Sequence, residues 1–137
     1  MAARFGVEVG TPLLQRTYRT RAKSELAPLN LVTSYLVVDM ITGNPDLLSA
    51  ANEPWPGGTQ SQLHTVGIEI DRITDELTAR PPYADESQEL DLEPGIAVLV
   101  LWKTSVDTTG RVVEVSEVIL PGDRTQIEYT TQLKRWK

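Results

Sequence analysis

Leu92 to Arg124 read LEPGIAVLVLWKTSVDTTGRVVEVSEVILPGDR: an apolar, β-branched run, a turn cluster ending in Gly110, and a second β-branched run. That order predicts a β-hairpin with its loop between Val106 and Val112. The same phrase occurs earlier. Phe5-Gly-Val-Glu-Val-Gly10-Thr-Pro-Leu-Leu14 lines up with Leu90-Asp-Leu-Glu-Pro-Gly95-Ile-Ala-Val-Leu99 at an offset of 95 − 10 = 85 residues. Carried forward, the match sets Leu13 to Thr20 against Val98 to Ser105, and Leu29 to Leu36 against Val113 to Leu120. Two hairpins that each bury one face cannot do so alone. The duplication therefore predicts one antiparallel sheet with helices packed on it, an α+β fold whose halves are related by a pseudo-twofold axis. A ligand cleft is expected at the junction of the halves.

At 137 residues, 40% hydrophobic and 23% charged, the chain has the size and composition of one globular domain. No apolar run is long enough to span a membrane and no signal peptide opens the chain, so a cytoplasmic protein with no membrane partner is expected. The absence of cysteine excludes disulfides, thiolate metal sites and a Cys nucleophile. His64 is the single histidine, so a catalytic triad or a zinc site would rest on it alone. Neither is expected: no catalytic residue, no metal and no cofactor. A net charge of −6 argues against this chain gripping a phosphate backbone itself.

Met1 to Phe5 with Gly6, and Pro82 to Leu90 with Asp91, read as two helix ends with a left-handed residue at C′. The chain thus reads as beginning in mid-element. A strand equivalent to Ile68–Leu77, and the start of the next helix, are expected upstream of Met1. On Leu13 to Arg21, Leu14, Arg16, Tyr18 and Thr20 share one side, and Gln15, Thr17, Arg19 and Arg21 the other. Asn44-Pro45 predicts a short helix to about Ala51, followed by a breaker loop, Asn52 to Gly58. Thr59 is the expected N-cap of a helix from Gln60 to Val66, stopped by Gly67. Gly57, Gly58 and Thr59 would offer backbone N–H groups and a hydroxyl to an anion; ordinary capping explains the same residues. Ile68 to Leu77 predicts a strand with one bulge, Tyr83 to Leu90 an acidic helix, and Gln126 to Leu133 a last strand, with Trp136 on a sheet edge or a partner.

Gly95, Val98 to Leu101, Asp107 through Gly110-Arg111, Glu114, Ser116 and Gly122-Asp123-Arg124 together resemble the end of a UTRA domain. That is the effector-binding domain of HutC-type GntR transcription regulators. The likeness runs back through Gly10-Thr-Pro-Leu-Leu14, Thr33-Ser34-Tyr35, Gly58-Thr59, Gly67-Ile68, Arg72 and Glu76, and so covers nearly the whole chain. The resemblance implies a chorismate-lyase-like fold over residues 1–137 and a winged helix-turn-helix DNA-binding domain outside this chain. It also implies a small-molecule effector, and coupling of its binding to DNA through a homodimer.

Family members that bind sugar phosphates hold the phosphate with two arginines, two positions apart on the first hairpin strand. These fall on Tyr18 and Thr20 here. A glutamate that contacts the sugar falls on Val32, a second is matched by Glu114, and a tyrosine six positions later is Leu120. The expected effector is accordingly a differently shaped or less charged molecule, a small anion or a polyol. The expected ligand-binding set is Tyr18, Thr20, Gly58, Thr59, Arg72, Glu114 and Ser116. Parity places Glu114 with Val112 and Ser116, opposite Val113 and Val115; a solvated strand carboxylate and an Arg72–Glu76 surface pair are the plain alternatives. Glu114→Gln is expected to weaken effector binding more than tenfold with little change in stability, since a charge-assisted hydrogen bond is worth roughly 1.5–3 kcal/mol. A dimerisation module with a degenerate pocket, or a chorismate-lyase-type enzyme, are the competing readings.

Overall fold

The structure is a computed structural model and describes residues 1–20, 30–45 and 58–136. Its elements are α1 (Ala2–Phe5), β1 (Leu13–Thr20), β2 (Asn30–Val37), α2 (Val38–Ile41), α3 (Gly58–His64), β3 (Ile70–Arg80), α4 (Ala84–Leu90), β4 (Val98–Asp107) and β5 (Val112–Pro121). The strands form one antiparallel sheet in the order β1-β2-β5-β4-β3. The two hairpins, β1–β2 and β4–β5, meet along β2 and β5, as the duplication requires.

The backbone itself repeats. Gly6 N donates to Ala3 O and Asp91 N to Gln88 O; Val7 N to Ala2 O and Leu92 N to Ser87 O; Thr11 N to Glu8 O and Ile96 N to Glu93 O. Each member of a pair lies 85 residues from its counterpart. Gly6 and Asp91 both end their helices in the left-handed region, at φ 67° and 52°. In the second strands the offset is 113 − 29 = 84, which makes Glu117 the counterpart of Thr33 (33 + 84 = 117). Thr33 and Glu117 are partners across β2 and β5, so the pseudo-axis runs through this pair.

Burial obeys the same rule. On one face of the sheet α1 and α4 cover two cores. Phe5, Val7 and Leu13 pack with Val37 and Val115, while their counterparts Leu90, Leu92 and Val98 pack with Val100 and Ile119. Trp102 touches both, and the Arg4 guanidinium lies 4.0 Å from its ring centroid. On the other face Ile41 of α2 and Leu63 of α3 pack on Leu36, Ile68 and Val113. Burying such side chains contributes about 1.5–3 kcal/mol each before entropy is counted.

Several expectations change. Val113 is a bulge: Ser105 pairs with Glu114 and Val106 with Val112, leaving Val113 between them. Val113 therefore shares a face with Glu114, and Val112 packs with Phe5 and Val115 on the opposite face. The anticipated bulge near Ile68–Leu77 is present at Asp71, between Ile70 and Arg72, in a strand that starts and ends later than expected. Gln126 to Leu133 is not a strand, because it pairs with no described strand, and Trp136 is 99% exposed. Arg72 pairs with Asp71 and Glu76 with Arg4, not with each other. α3 already includes Gly58, so Thr59 sits in its first turn instead of capping it, and His64 is exposed. Of the helix expected from Pro45 to Ala51, residues 46–51 lie outside the described residues, as does the loop from Asn52 up to Gly58. Among the described residues no helix is long and apolar enough to cross a membrane.

Candidate functional site

Residues opposite one another in an antiparallel sheet share a face, so the register can be read as rows across the strands. On the face carrying α3, one row is Leu14, Leu36, Glu114, Ser105 and Ile73. The next is Arg16, Ser34, Ser116, Lys103 and Asp75, and the third is Tyr18, Val32, Val118, Leu101 and Leu77. The middle row is polar from edge to edge. Successive rows are about 7 Å apart.

Its deepest part lies under α3. Arg16 is 2% exposed, and its Nη2 donates to Oε1 of the equally buried Gln62 at 3.1 Å. Glu114, 6% exposed, accepts a hydrogen bond from Ser34 Oγ at 2.7 Å and lies 3.8 Å from Arg16 Nη2. Removing two charges from water costs several kcal/mol per ion, and here a hydroxyl, an amide and the opposite charge offset part of that cost. At the far end of the row Lys103 Nζ meets Asp75 Oδ1 at 2.9 Å, with both side chains partly exposed. The row thus offers charge of both signs with two serines between; Glu114 and Ser105 carry its polarity into the Leu14 row, while the Tyr18 row is apolar but for the tyrosine hydroxyl. The middle row can hydrogen-bond and orient a polar molecule while Tyr18, Val32 and Leu101 contact its carbon skeleton. Among the described residues no group of His, Asp and Glu is placed to hold a metal ion.

Of the residues expected in the site, Tyr18, Glu114 and Ser116 lie on this face, and the backbone register puts Thr20 on it too, opposite Asn30. Gly58 and Thr59 form the first turn of α3, the helix that also carries Gln62. Arg72 is elsewhere. It lies opposite Val106 on the other face, is largely exposed and is engaged by Asp71. Arg16, Ser34, Gln62, Lys103 and Asp75 were missed as site residues. Arg16 could have been found by its parity with Tyr18, and Ser34 from the position of the axis, which brings it opposite Ser116.

The opposite face holds simpler chemistry. Arg19 pairs with Glu89 of α4 at 2.8 Å and, with Asp85, Leu31 and Thr33, lines a groove of about 570 Å³. Arg80 makes a two-pronged bond to Glu86, at 2.7 and 2.8 Å, and lies over the Tyr83 ring. That hydrogen bond holds the Glu86 carboxyl below its ordinary value, against burial. Burial raises the carboxyl of Glu117, on the pseudo-axis. These charges tie the helices to the sheet; the Arg19–Glu89 pair is exposed and therefore weak.

A duplicated sheet of this order, with one face under paired helices and the other carrying a polar row beneath a short helix, is the architecture of a known class of regulator domain. The model of the UTRA domain family matches residues 1–126, and the chain belongs to that family. Its relatives are GntR-family transcription regulators. An uncharacterized HTH-type transcriptional regulator of Streptomyces coelicolor is 30% identical over 129 residues, which are 94% of this chain and 47% of that protein. The chain thus spans about half the length of that relative. A crystal structure of a protein assigned to the GntR family of transcriptional regulators is 28% identical, with a TM-score of 0.82 over 97% of this chain and 53% of its own. The ligand-binding domain of a GntR-family regulator from Bordetella bronchiseptica has the same fold at 19% identity, with a TM-score of 0.76 over 96% of this chain and 80% of its own.

Proposed function

We propose that this chain is the effector-sensing part of a longer bacterial transcription regulator of the HutC type. A small molecule binds on the polar row, and its binding is coupled to DNA through a helix-turn-helix domain outside residues 1–137. The observation that carries the reading is the buried constellation of Arg16, Gln62, Ser34 and Glu114 in the centre of a sheet that could have been filled with apolar side chains. Glu114 and Ser116 supply acceptors and Tyr18 a flat wall with a polar tip; the backbone register sets Thr20 on the same face, and Gly58 and Thr59 open the helix that carries Gln62. Arg72 has no part in it. With one cation and one anion under α3, the site suits a small molecule of low net charge, a polyol or a hydroxylated carboxylate, better than a phosphate dianion. The name of the Bordetella domain supports a ligand role.

Relatives named as transcriptional regulators support a non-catalytic, cytoplasmic role, and a homodimer would let the ligand set the spacing of two DNA-binding domains. One observation favours a pure dimerisation module: Arg16, Gln62, Ser34 and Glu114 already engage one another. A thermal-shift and calorimetry screen of polyols and hydroxy acids separates the two. A ligand whose affinity falls more than tenfold in Ser116→Ala supports sensing; the dimerisation reading gains if nothing in such a library shifts the wild-type chain. Conversion of chorismate by the chain would overturn the non-catalytic assignment.

A further inference from the structure

The internal repeat allows one half of the sheet to be compared with the other, side chain by side chain. On the face under α1 and α4, Thr17, Thr33, Glu117, Trp102 and Glu76 form one row across the strands. At the offset of 85 residues Trp102 is the counterpart of Thr17 (17 + 85 = 102), and Glu89 is the counterpart of Arg4 (4 + 85 = 89). In one half the space between helix and sheet is filled. The Trp102 ring packs against both cores of this face, and the Arg4 guanidinium lies 4.0 Å from its centroid. In the other half a threonine stands where the indole would be, and a groove of about 570 Å³ opens there, bordered by Thr17, Arg19, Leu31, Thr33, Asp85 and Glu89. Small-molecule sites typically measure about 300–1,000 Å³, so the groove is large enough to be one.

Two differences between the halves say what the groove accepts. The first is the ring. Leu31 is a half-buried apolar floor that packs on the Leu90 core, and Thr17 and Thr33 offer hydroxyls beside it, so a flat group with a polar edge has a place to lie. The second is charge. Arg4 on α1 pairs with the strand carboxylate Glu76 at 3.3 Å; in the groove the signs are exchanged, with the carboxylate Glu89 on the helix and the cation Arg19 on the strand, 2.8 Å apart. Asp85 stands one turn before Glu89 on the same side of α4 and, among the described residues, pairs with no cation. Two carboxylates against one guanidinium leave the groove net negative. Helix stability does not explain Glu89, which stands in the last turn of α4, where the helix dipole disfavours an anion.

We propose that this groove, on the face opposite the polar row, is a second small-molecule site, and that its ligand is an aromatic amine. The ring takes the place in the first half that Trp102 fills in the second, and the ammonium is received by Asp85 and Glu89. Arg19, two residues along β1 from Thr17, borders the ring and supplies the cation that Arg4 supplies to Trp102. A ligand carrying a carboxylate in place of the ammonium would meet like charge on α4 and is rejected.

Tryptamine, an indole with one ammonium, is the probe. Calorimetric titration of the full chain is expected to show saturable one-to-one binding, about tenfold or more tighter than that of indole-3-propionate, the same ring with a carboxylate. Intermolecular nuclear Overhauser effects are expected between the indole protons and the methyl groups of Thr17 and Leu31. Thr17→Trp, which gives the first half the side chain that fills the second, is expected to weaken tryptamine binding about tenfold or more. The same loss is expected of the double variant Asp85→Asn plus Glu89→Gln, whose surface positions leave the fold intact and which decides the question if Thr17→Trp does not fold. The proposal fails if tryptamine shows no saturable binding, if indole-3-propionate binds as tightly, or if either folded variant binds tryptamine as the wild type does. Overhauser effects to the methyl groups of Val32 and Val118 instead would seat the amine on the polar row and overturn the assignment.

Discussion

A carboxylate buried as deeply as Glu114 depends on its partners, and each partner makes a different prediction. Glu114→Gln keeps an oxygen for Ser34 but removes the charge beside Arg16, leaving a buried guanidinium with Gln62 as its remaining bond acceptor in this group. The substitution is expected to lower unfolding free energy by about 1.5–3 kcal/mol in urea titrations, as well as weakening ligand binding. The expectation of unchanged stability, which assumed a carboxylate facing an open pocket, is thereby replaced. Asp107 sits where the β4–β5 turn begins. Burial pushes its carboxyl up, but hydrogen bonds from the Thr109 hydroxyl and from the backbone and side chain of Arg111 outweigh it and hold the group at about 2, against an ordinary 3.8. A carboxyl depressed in the folded state stabilises it fully above the unfolded value. That contribution is lost as pH falls from about 4 through about 2. Acid titration of turn amides is expected to show opening in that window, and Asp107→Asn should be loose at neutral pH and flat across the window.

At the scale of the elements, the sharpest steric demand is at the exit from β5. Gly122 N donates to Ala97 O at 2.9 Å, and a Cβ at position 122 would stand 2.4 Å from that same oxygen. Gly122→Ala is expected to cost about 1–3 kcal/mol, read as an earlier urea midpoint, because backbone must move to admit it. The helix end at Asp91 predicts the reverse. Asp91 holds the left-handed conformation that its counterpart Gly6 adopts without strain, so Asp91→Gly is expected to stabilise by about 0.5–1 kcal/mol. Both hairpins and both helix ends could be read in the sequence, since period-two alternation and glycine at C′ of α1 are local signals, and the repeat carries the second to Asp91. The bulge could not, because Val112 and Val113 are chemically identical and the slip depends on which of them α3 and Ile41 accept. Val38–Ile41 has no capping side chain to mark it as a helix, and Ile41 of α2 is packed in the core. The tail strand failed for a related reason: alternation permits a strand, but a ladder needs a neighbour. In the site, parity placed Arg16 on the correct face. Its depth comes from Gln62, 46 residues away, which no local pattern foretells.

For the whole molecule, the net charge of −6 sets the expectation for nucleic acid. Filter binding at physiological salt is expected to detect no DNA affinity in this chain alone, while a protein carrying the same residues behind a helix-turn-helix should bind with a steep salt dependence. The pseudo-axis through Thr33 and Glu117 has a further consequence, for the history of the chain. Two identical half-length chains pairing through that position would carry every substitution twice, once on each side of the axis. A buried acid at position 114 would then come with a second acid at the place now held by Asn30. Joined in one gene, the halves are released from that constraint, and one can acquire charge while the other remains neutral. Asymmetry of this kind lets a symmetric scaffold tell one end of a small molecule from the other.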